Sequence, residues 1–347
     1  MDNDNNKKGP YTISELKAFT TGQQIWGKYL LLALYKRKTR DGKDFSNLKI
    51  GDKSGEIDVV AWENCQWSGD VEAGRVIGLL GDIGFYNNRQ QLTAKRIKIL
   101  DGEDNINYQK SPETDINVLV VEFERSLQEV EDLYLQGLLQ IIFTSERKNK
   151  FFQSPAAKKI HHNYTGGLLE HTVYLIKLSR RIAEVYPKIN KDLLLAGALL
   201  HDVGKTAELS MSVVTPEYTT VGRLLGHITL GADIVAEAVR EYRRSVGFFP
   251  EELEMALRHM ILSHHGVLEF GSPVKPLFPE AFMLYFMDNL DAKMFVYFNQ
   301  IEEDKENPAL FTPYDNLYQQ NYYKYRYSYE KMKMPAQETE TEENEAE

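Results

Sequence analysis

The sequence predicts a multidomain chain, all-β followed by all-α, with a small N-terminal barrel and a C-terminal α-helical domain. Three observations carry that prediction. Between residues 23 and 100, short runs that are partly β-branched or aromatic are separated by turn signals such as Asp41-Gly42, Lys53-Ser54-Gly55 and Asn87-Asn88. From Ile116 onward the apolar residues recur at i, i+3 and i+4, the period of a helix. All 8 histidines lie in that second part, at positions 161, 162, 171, 201, 227, 259, 264 and 265.

Five strands are expected in the first part: QQIWGKYLLLALYKRKTR, KDFSNLKIGD, GEIDVVAW, GRVIGLLGDIGFY and RQQLTAKRIKIL. Five short strands suggest an OB-type barrel over residues 1–104, with its connecting helix in ENCQWSGDVEAG between the third and fourth strands. Such barrels hold single-stranded nucleic acid by stacking bases on aromatic rings along a groove of Lys and Arg. Phe45, Trp62, Tyr86 and Arg89 are the candidate contacts, with Phe85, Arg37 and Lys43 also available. The alternative for any one of these aromatics is a place in the barrel core. Tyr86 and Arg89 flank the Asn87-Asn88 turn and are expected to be exposed. Charge agrees with a nucleic-acid partner despite a net charge of -10, because residues 1–100 hold 16 Lys and Arg against 12 Asp and Glu.

Residues 105–117, polar and containing Pro112, read as a linker, and residues 118–315 as the helical domain. Its helical segments are VLVVEFERSLQEVEDLYLQGLLQIIF, GGLLEHTVYLIKLSRRIAEVY, DLLLAGALLHDVG, TLGADIVAEAVREYR, EELEMALRHMILSHHG and AFMLYFMDNLDAKMFVYF. In residues 316–334 Tyr323, Tyr325, Tyr327 and Tyr329 alternate with Lys324 and Arg326, which reads as an edge strand or packing arm, or alternatively as an RNA-contacting strip. Residues 335–347 are an acidic tail expected to be disordered. The sequence shows neither a leader-like N-terminus nor an apolar run long enough for a membrane span, so a cytoplasmic location is expected. Cys65, the single cysteine, excludes an intramolecular disulfide framework and a cysteine-rich zinc knuckle. Any metal must therefore be held by His and carboxylate.

Histidines separately are weak signals, but their placement is not random. His171, His201 with Asp202, His227, His264 with His265, and Asp288 each fall in or beside a different apolar segment, as when a bundle projects ligands inward from several walls. Imidazole and carboxylate suit Mn, Fe, Co, Ni or Zn, and a carboxylate between two imidazole clusters can bridge two ions. Asp202 is the expected bridge. Two such ions can activate a water for in-line attack on phosphorus, and Lys205 would then offer its cation to a phosphate oxygen. Gly204 lets the chain leave closely past the site. Asp291, three residues after Asp288, is a candidate to orient a ligand histidine. His162, Arg223 and Lys293 are candidate substrate contacts, while His259 sits about 140° around its helix from His264 and is expected to face away.

His171, the run His201-Asp202-Val203-Gly204-Lys205, His227, His264-His265 and Asp288, in this order across about 120 residues, resemble the two-metal HD-domain phosphohydrolases. The resemblance implies one metal on His171, His201, Asp202 and Asp288 and a second on Asp202, His227, His264 and His265, with manganese as the working ion and cobalt able to substitute. HHGVLEFGSP lacks the Gly-Tyr-Pro signature of the cyclic-dinucleotide phosphodiesterases, and there is no synthetase domain of the stringent-response type. An OB-like barrel ahead of the HD domain, with HHNYTGGLLEHT leading into the first ligand helix, is similar to the YhaM family of 3'-to-5' exoribonucleases. That resemblance implies hydrolysis of single-stranded RNA, and possible action on DNA, from the 3' end. Two other readings stay open at this point: an HD phosphohydrolase acting on free nucleotides, and a nucleic-acid-binding protein without turnover. The sequence leaves the oligomeric state undetermined.

Overall fold

The computed structural model describes residues 9–86, 89–157, 164–211, 215–305 and 307–325. Its first part is a closed barrel of β1 (Gln24–Lys38), β2 (Asp44–Asp52), β3 (Gly55–Ser68), β4 (Val76–Tyr86) and β5 (Arg89–Ile99), in the order β1-β2-β3-β5-β4. Only β3 and β5 run parallel. Alternation along β2 turns Leu48 and Ile50 into the core and leaves Phe45, Asn47 and Lys49 on the outer face. A short helix, α1 (Ile13–Leu16), is fixed by a Thr12–Glu15 capping box and adds Ile13 and Leu16 to the same core.

The connecting helix expected in ENCQWSGDVEAG is absent. β3 instead runs on to Ser68: after a register shift, Gln66, Trp67 and Ser68 pair with Arg96, Ile97 and Lys98 of β5, and Cys65 turns into the core. A ladder to a strand some thirty residues away satisfies this backbone, so the polar side chains simply lie outside. Only residues 69–75 remain to turn the chain into β4, with Gly74 in the left-handed region at φ 92°.

After a short 3-10 turn (Asn105–Tyr108) the chain is helical: α2 (Ile116–Glu129), α3 (Leu133–Ile142), α4 (Ser145–Gln153), α5 (Gly167–Val185), α6 (Lys191–Leu200), α7 (Lys205–Glu208), α8 (Thr220–Ser245), α9 (Glu251–Ser263) and α10 (Pro279–Glu303). A two-stranded hairpin, β6 (Leu209–Met211) and β7 (Pro216–Tyr218), separates α7 from α8. The single apolar segment expected over 118–143 is two helices, because Asp132 accepts hydrogen bonds from the Tyr134 and Leu135 N–H groups and starts α3 afresh. Central α6 begins where Asn190 caps the Leu193 N–H and ends at His201. Leu194, Leu195, Leu199 and Leu200 on it are wholly buried. Each such leucine contributes roughly 1.5–3 kcal/mol, so this helix anchors its His201 end firmly.

The linker is stitched to the helical domain. Glu170 of α5 accepts from the Glu113 and Thr114 N–H groups and from the Tyr164 hydroxyl, and Lys110 pairs with Glu303 of α10 at 2.8 Å. Beyond α10 a bridged arm, with Phe311 opposite Tyr323 and Asp315 opposite Gln320, folds back on the domain. In that arm the alternation does not give a basic face: Lys324 is buried and donates to Asp304 Oδ2 at 2.6 Å and to the Asp304 and Asn307 carbonyls. Its charge is needed by a buried carboxylate, so it is not offered to RNA. Tyr327, Tyr329, Arg326 and the acidic tail lie outside the described residues. Among the described residues, no helix is long and apolar enough to cross a membrane.

Candidate metal centre and nucleic-acid interface

Five histidines meet at the centre of the helical domain, brought there by the interior of α5, the ends of α6 and α9, and the α8 kink. Each has its Nδ1 satisfied by an acceptor: His171 by Asp291 at 2.6 Å, His201 by the Ala198 carbonyl at 2.9 Å, His227 by Glu208 at 3.1 Å, His264 by the Ile261 carbonyl at 2.7 Å and His265 by the Phe270 carbonyl at 2.7 Å. A carbonyl or carboxylate can only accept, so every Nδ1 carries a proton and every Nε2 is turned to the interior, where those of His171 and His201 lie 3.1 Å apart. The ligand atoms form two groups, His171, His201 and Asp202 in one and His227, His264 and His265 in the other, each within 4.8 Å.

Asp202 stands between them. Its Oδ2 lies 3.2 Å from His201 Nε2 and 3.8 Å from His171 Nε2, while its Oδ1 lies 3.5 and 3.6 Å from the Nε2 atoms of His227 and His264. Asp288 closes the first group, with Oδ1 3.2 Å from His171 Nε2. Buried Asp202 Oδ1, His227 Nε2 and His264 Nε2 make no hydrogen bond. Burying such atoms unmatched costs free energy unless a cation takes them up. Converging imidazole nitrogens around a two-sided carboxylate therefore fit a pair of divalent ions. Gly204 follows so closely under α8 that a Cβ there would collide with the His227 carbonyl oxygen.

Electrostatics fit the same picture. Burial acts to raise the Asp202 carboxyl, but Lys205, whose Nζ sits 2.5 Å from Oδ2, and His201 hold it well below the ordinary carboxylate range. For His171 burial opposes the charge, yet Asp288 and Asp291 outweigh it and push the imidazole up to about 10. In the other group burial, with His264 alongside, pulls His265 down to about 4. Asp291 thus occupies the orienting position expected of it, on His171. His259 does face away: its Nε2 accepts from the Leu277 N–H and its ring packs on Phe278.

The centre opens into a cavity of about 1370 Å³ between barrel and helices. Lys205, Glu208, His227 and His265 line its inner end, and Lys17, Lys49, Phe85 and Arg89 its barrel side. Arg223 and Lys293, expected as substrate contacts, are exposed and are not among the lining residues, and Tyr86 is exposed beside the mouth without lining it. His162 lies outside the described residues. On the barrel a second groove of about 530 Å³ is lined by Lys36, Arg37, Lys38, Phe45, Trp62 and Trp67. Arg37, Phe45 and Trp62 are register partners across β1, β2 and β3, and the Phe45 and Trp62 rings stand 5.4 Å apart. Both aromatics are on the outer face, so neither fills the core. Lys36, Lys38, Trp67, Lys49 and Glu208 were not singled out by the sequence; only the Lys36-Arg37-Lys38 run carried a visible signal.

Comparison with known proteins agrees with both halves. An HD domain model matches residues 168–293, and a model described as an OB-fold nucleic acid binding domain matches residues 33–100. The 3'-5' exoribonuclease YhaM of Bacillus subtilis (strain 168) is 34% identical over 277 residues, covering 79% of this chain and 86% of the relative. The chain belongs to the YhaM family. A second YhaM, from Geobacillus sp. (strain WCH70), is 33% identical over 318 residues, covering 88% of this chain and 93% of its own. That of Listeria innocua is 33% identical over 281 residues, covering 80% and 87%. The HD match contains all seven converging residues, from His171 to Asp288.

Proposed function

We infer that the chain is a metal-dependent 3'-to-5' exoribonuclease whose barrel holds single-stranded RNA while the helical domain hydrolyses its 3'-terminal phosphodiester. One observation carries the reading: four Nε2 atoms, those of His171, His201, His227 and His264, lie 3.2–3.8 Å from the two oxygens of Asp202 at the inner end of a cavity that also reaches the barrel. The outer face of β2 supports the route, since Phe45 lies in the aromatic groove and Lys49, on the same face, lines the cavity. Four residues of strand separate them by ~14 Å.

His171, His201, Asp202 and Asp288 would hold one ion and Asp202, His227, His264 and His265 a second, with manganese proposed and cobalt, iron, nickel or zinc as alternatives. Bound there, divalent ions supply Lewis acidity to the phosphate and lower the pKa of water. The chain's own residues do the rest. Asp202 keeps the two halves in register, Lys205 brings a fixed cation to the phosphoryl oxygens, and the cavity walls align the terminal nucleotide. Water oxygen adds to phosphorus, the bond to the upstream O3' breaks, and a nucleoside 5'-monophosphate leaves with a new 3'-hydroxyl on the RNA. In the groove, Phe45 and Trp62 stack bases while Arg37 meets phosphate; Tyr86 and Arg89 extend the contact at the cavity mouth. Such contacts tolerate DNA, which is proposed as an alternative substrate.

The test uses 5'-labelled single-stranded RNA and DNA with added manganese. Wild type is expected to give a ladder that shortens from the 3' end, and Asp202→Ala none. Cleavage of mononucleotides with every oligonucleotide left intact would instead support a free-nucleotide phosphohydrolase.

A further inference from the structure

Glu208 ends the four-residue helix α7, and no spacing in the sequence marks it. Its Oε1 accepts twice from one residue, from the His227 backbone N–H at 3.0 Å and from His227 Nδ1 at 3.1 Å. The first bond exists because α8 is broken at Gly226, whose φ of 71° and ψ of 156° lie in a region essentially closed to other residues. That break points the N–H at Glu208 instead of at the preceding turn. Glu208 is itself clamped: Thr219 N–H donates to its carbonyl at 3.0 Å, and a Cβ at Gly222 would collide with its backbone. Backbone and ring of His227 are thus aligned by one carboxylate, and His227 Nε2 is left buried without a hydrogen bond.

Across the site Asp291 performs the same service for His171, at 2.6 Å. The other three ligand histidines lean on carbonyls of their own neighbourhood. Each half of the cage therefore has one histidine held by a carboxylate from a different element. A carboxylate on the far nitrogen fixes the tautomer and increases the donor strength of the near one.

We propose that Glu208 is a positioning residue for one metal position only, the one served by His227, His264 and His265, and that Asp291 governs the other. This rests on the two-metal reading above. The two positions are then separately tunable, since Glu208 holds His227 on one side of Asp202 and Asp291 holds His171 on the other.

The test is a manganese titration of the full chain by calorimetry, with electron paramagnetic resonance to distinguish a spin-coupled pair from an isolated ion. Wild type is expected to take up two ions. Glu208→Gln, which keeps an oxygen acceptor and so the fold, should weaken one of the two by roughly 10–100-fold, the range typical of such outer partners. Glu208→Ala should weaken the same one at least as much. At manganese levels that fill only the tighter position, both variants should show the isolated-ion signal. Asp291→Asn should weaken the other position instead. Equal loss at both positions by Glu208→Gln, or a titration like wild type, overturns the proposal. Absence of metal uptake by wild type overturns the two-metal reading itself and this proposal with it.

Discussion

Removing the Trp62 indole takes one stacking surface from the barrel groove and leaves the barrel core untouched, because Trp62 sits on the outer face of β3 opposite Phe45. Stacking of a base on an aromatic ring is worth ~1–3 kcal/mol, so Trp62→Ala should weaken single-stranded RNA binding by roughly 5–150-fold. The charged part can be worked separately. Lys38 is already paired with Asp44 at 3.4 Å, which leaves Lys36 and Arg37 to neutralise phosphates. Two phosphate contacts on a single strand contribute about 1.4 to the slope of log affinity against log salt. Between 50 and 200 mM salt, that is a change of roughly 7-fold that wild type should show and Lys36→Ala/Arg37→Ala should lose. Anisotropy of labelled RNA in chelator, where no turnover occurs, measures both. Lys95→Ala, at an exposed pair with Asp82 outside both cavities, is the control and should bind as wild type. If Trp62→Ala and the double variant keep wild-type affinity and salt slope, RNA does not run through this groove.

Four further outcomes are expected. His171 in the metal-free protein has its imidazole pushed up to about 10 by Asp288 and Asp291 against burial. Its contribution to stability is present below the unfolded value of about 6.5 and lost as pH rises through about 10. At pH 7.5 it must shed that proton to bind a cation, so the calorimetric heat of manganese uptake should change with buffer ionisation enthalpy; an invariant heat contradicts the assignment. Lys324→Met leaves the buried Asp304 carboxylate without its cation, destabilising the arm by ~3–5 kcal/mol, which limited proteolysis within 309–325 should reveal and Asp304→Leu in the same chain should relieve. Gly226→Ala forces an L side chain into a glycine-only conformation at roughly 1–3 kcal/mol, and should lower both thermal stability and manganese uptake at the His227 position. Phe45→Ala combined with Trp62→Ala should cost less affinity than the sum of the single changes, because the two rings share one stacking platform.

Both architectures were legible because a period of two and a period of 3.6 are local properties of a chain. The converging set was legible too, since His201-Asp202 and His264-His265 interrupt apolar helices that have no other reason to end in polar doublets. What escaped depends on distant partners. The end of β3 is decided by Arg96 to Lys98 of β5, so ENCQWS reads locally as part of a connection and folds as strand. Glu208 meets His227 nineteen residues later, and only through the Gly226 break. Alternation in the Tyr-rich arm suggested a basic face, whereas Lys324 answers to Asp304 twenty residues back. Asp132 is the reverse case: its capping role is local, but it is hidden inside an unbroken apolar period.

Anomalous diffraction at the manganese edge from crystals of the full chain, grown without chelator, tests the central claim most directly. Two peaks on either side of the Asp202 carboxylate are expected, one bounded by His171, His201 and Asp288 and the other by His227, His264 and His265. A lone peak away from Asp202, or none in manganese-saturated crystals, would contradict the two-metal cage and the hydrolytic role built on it.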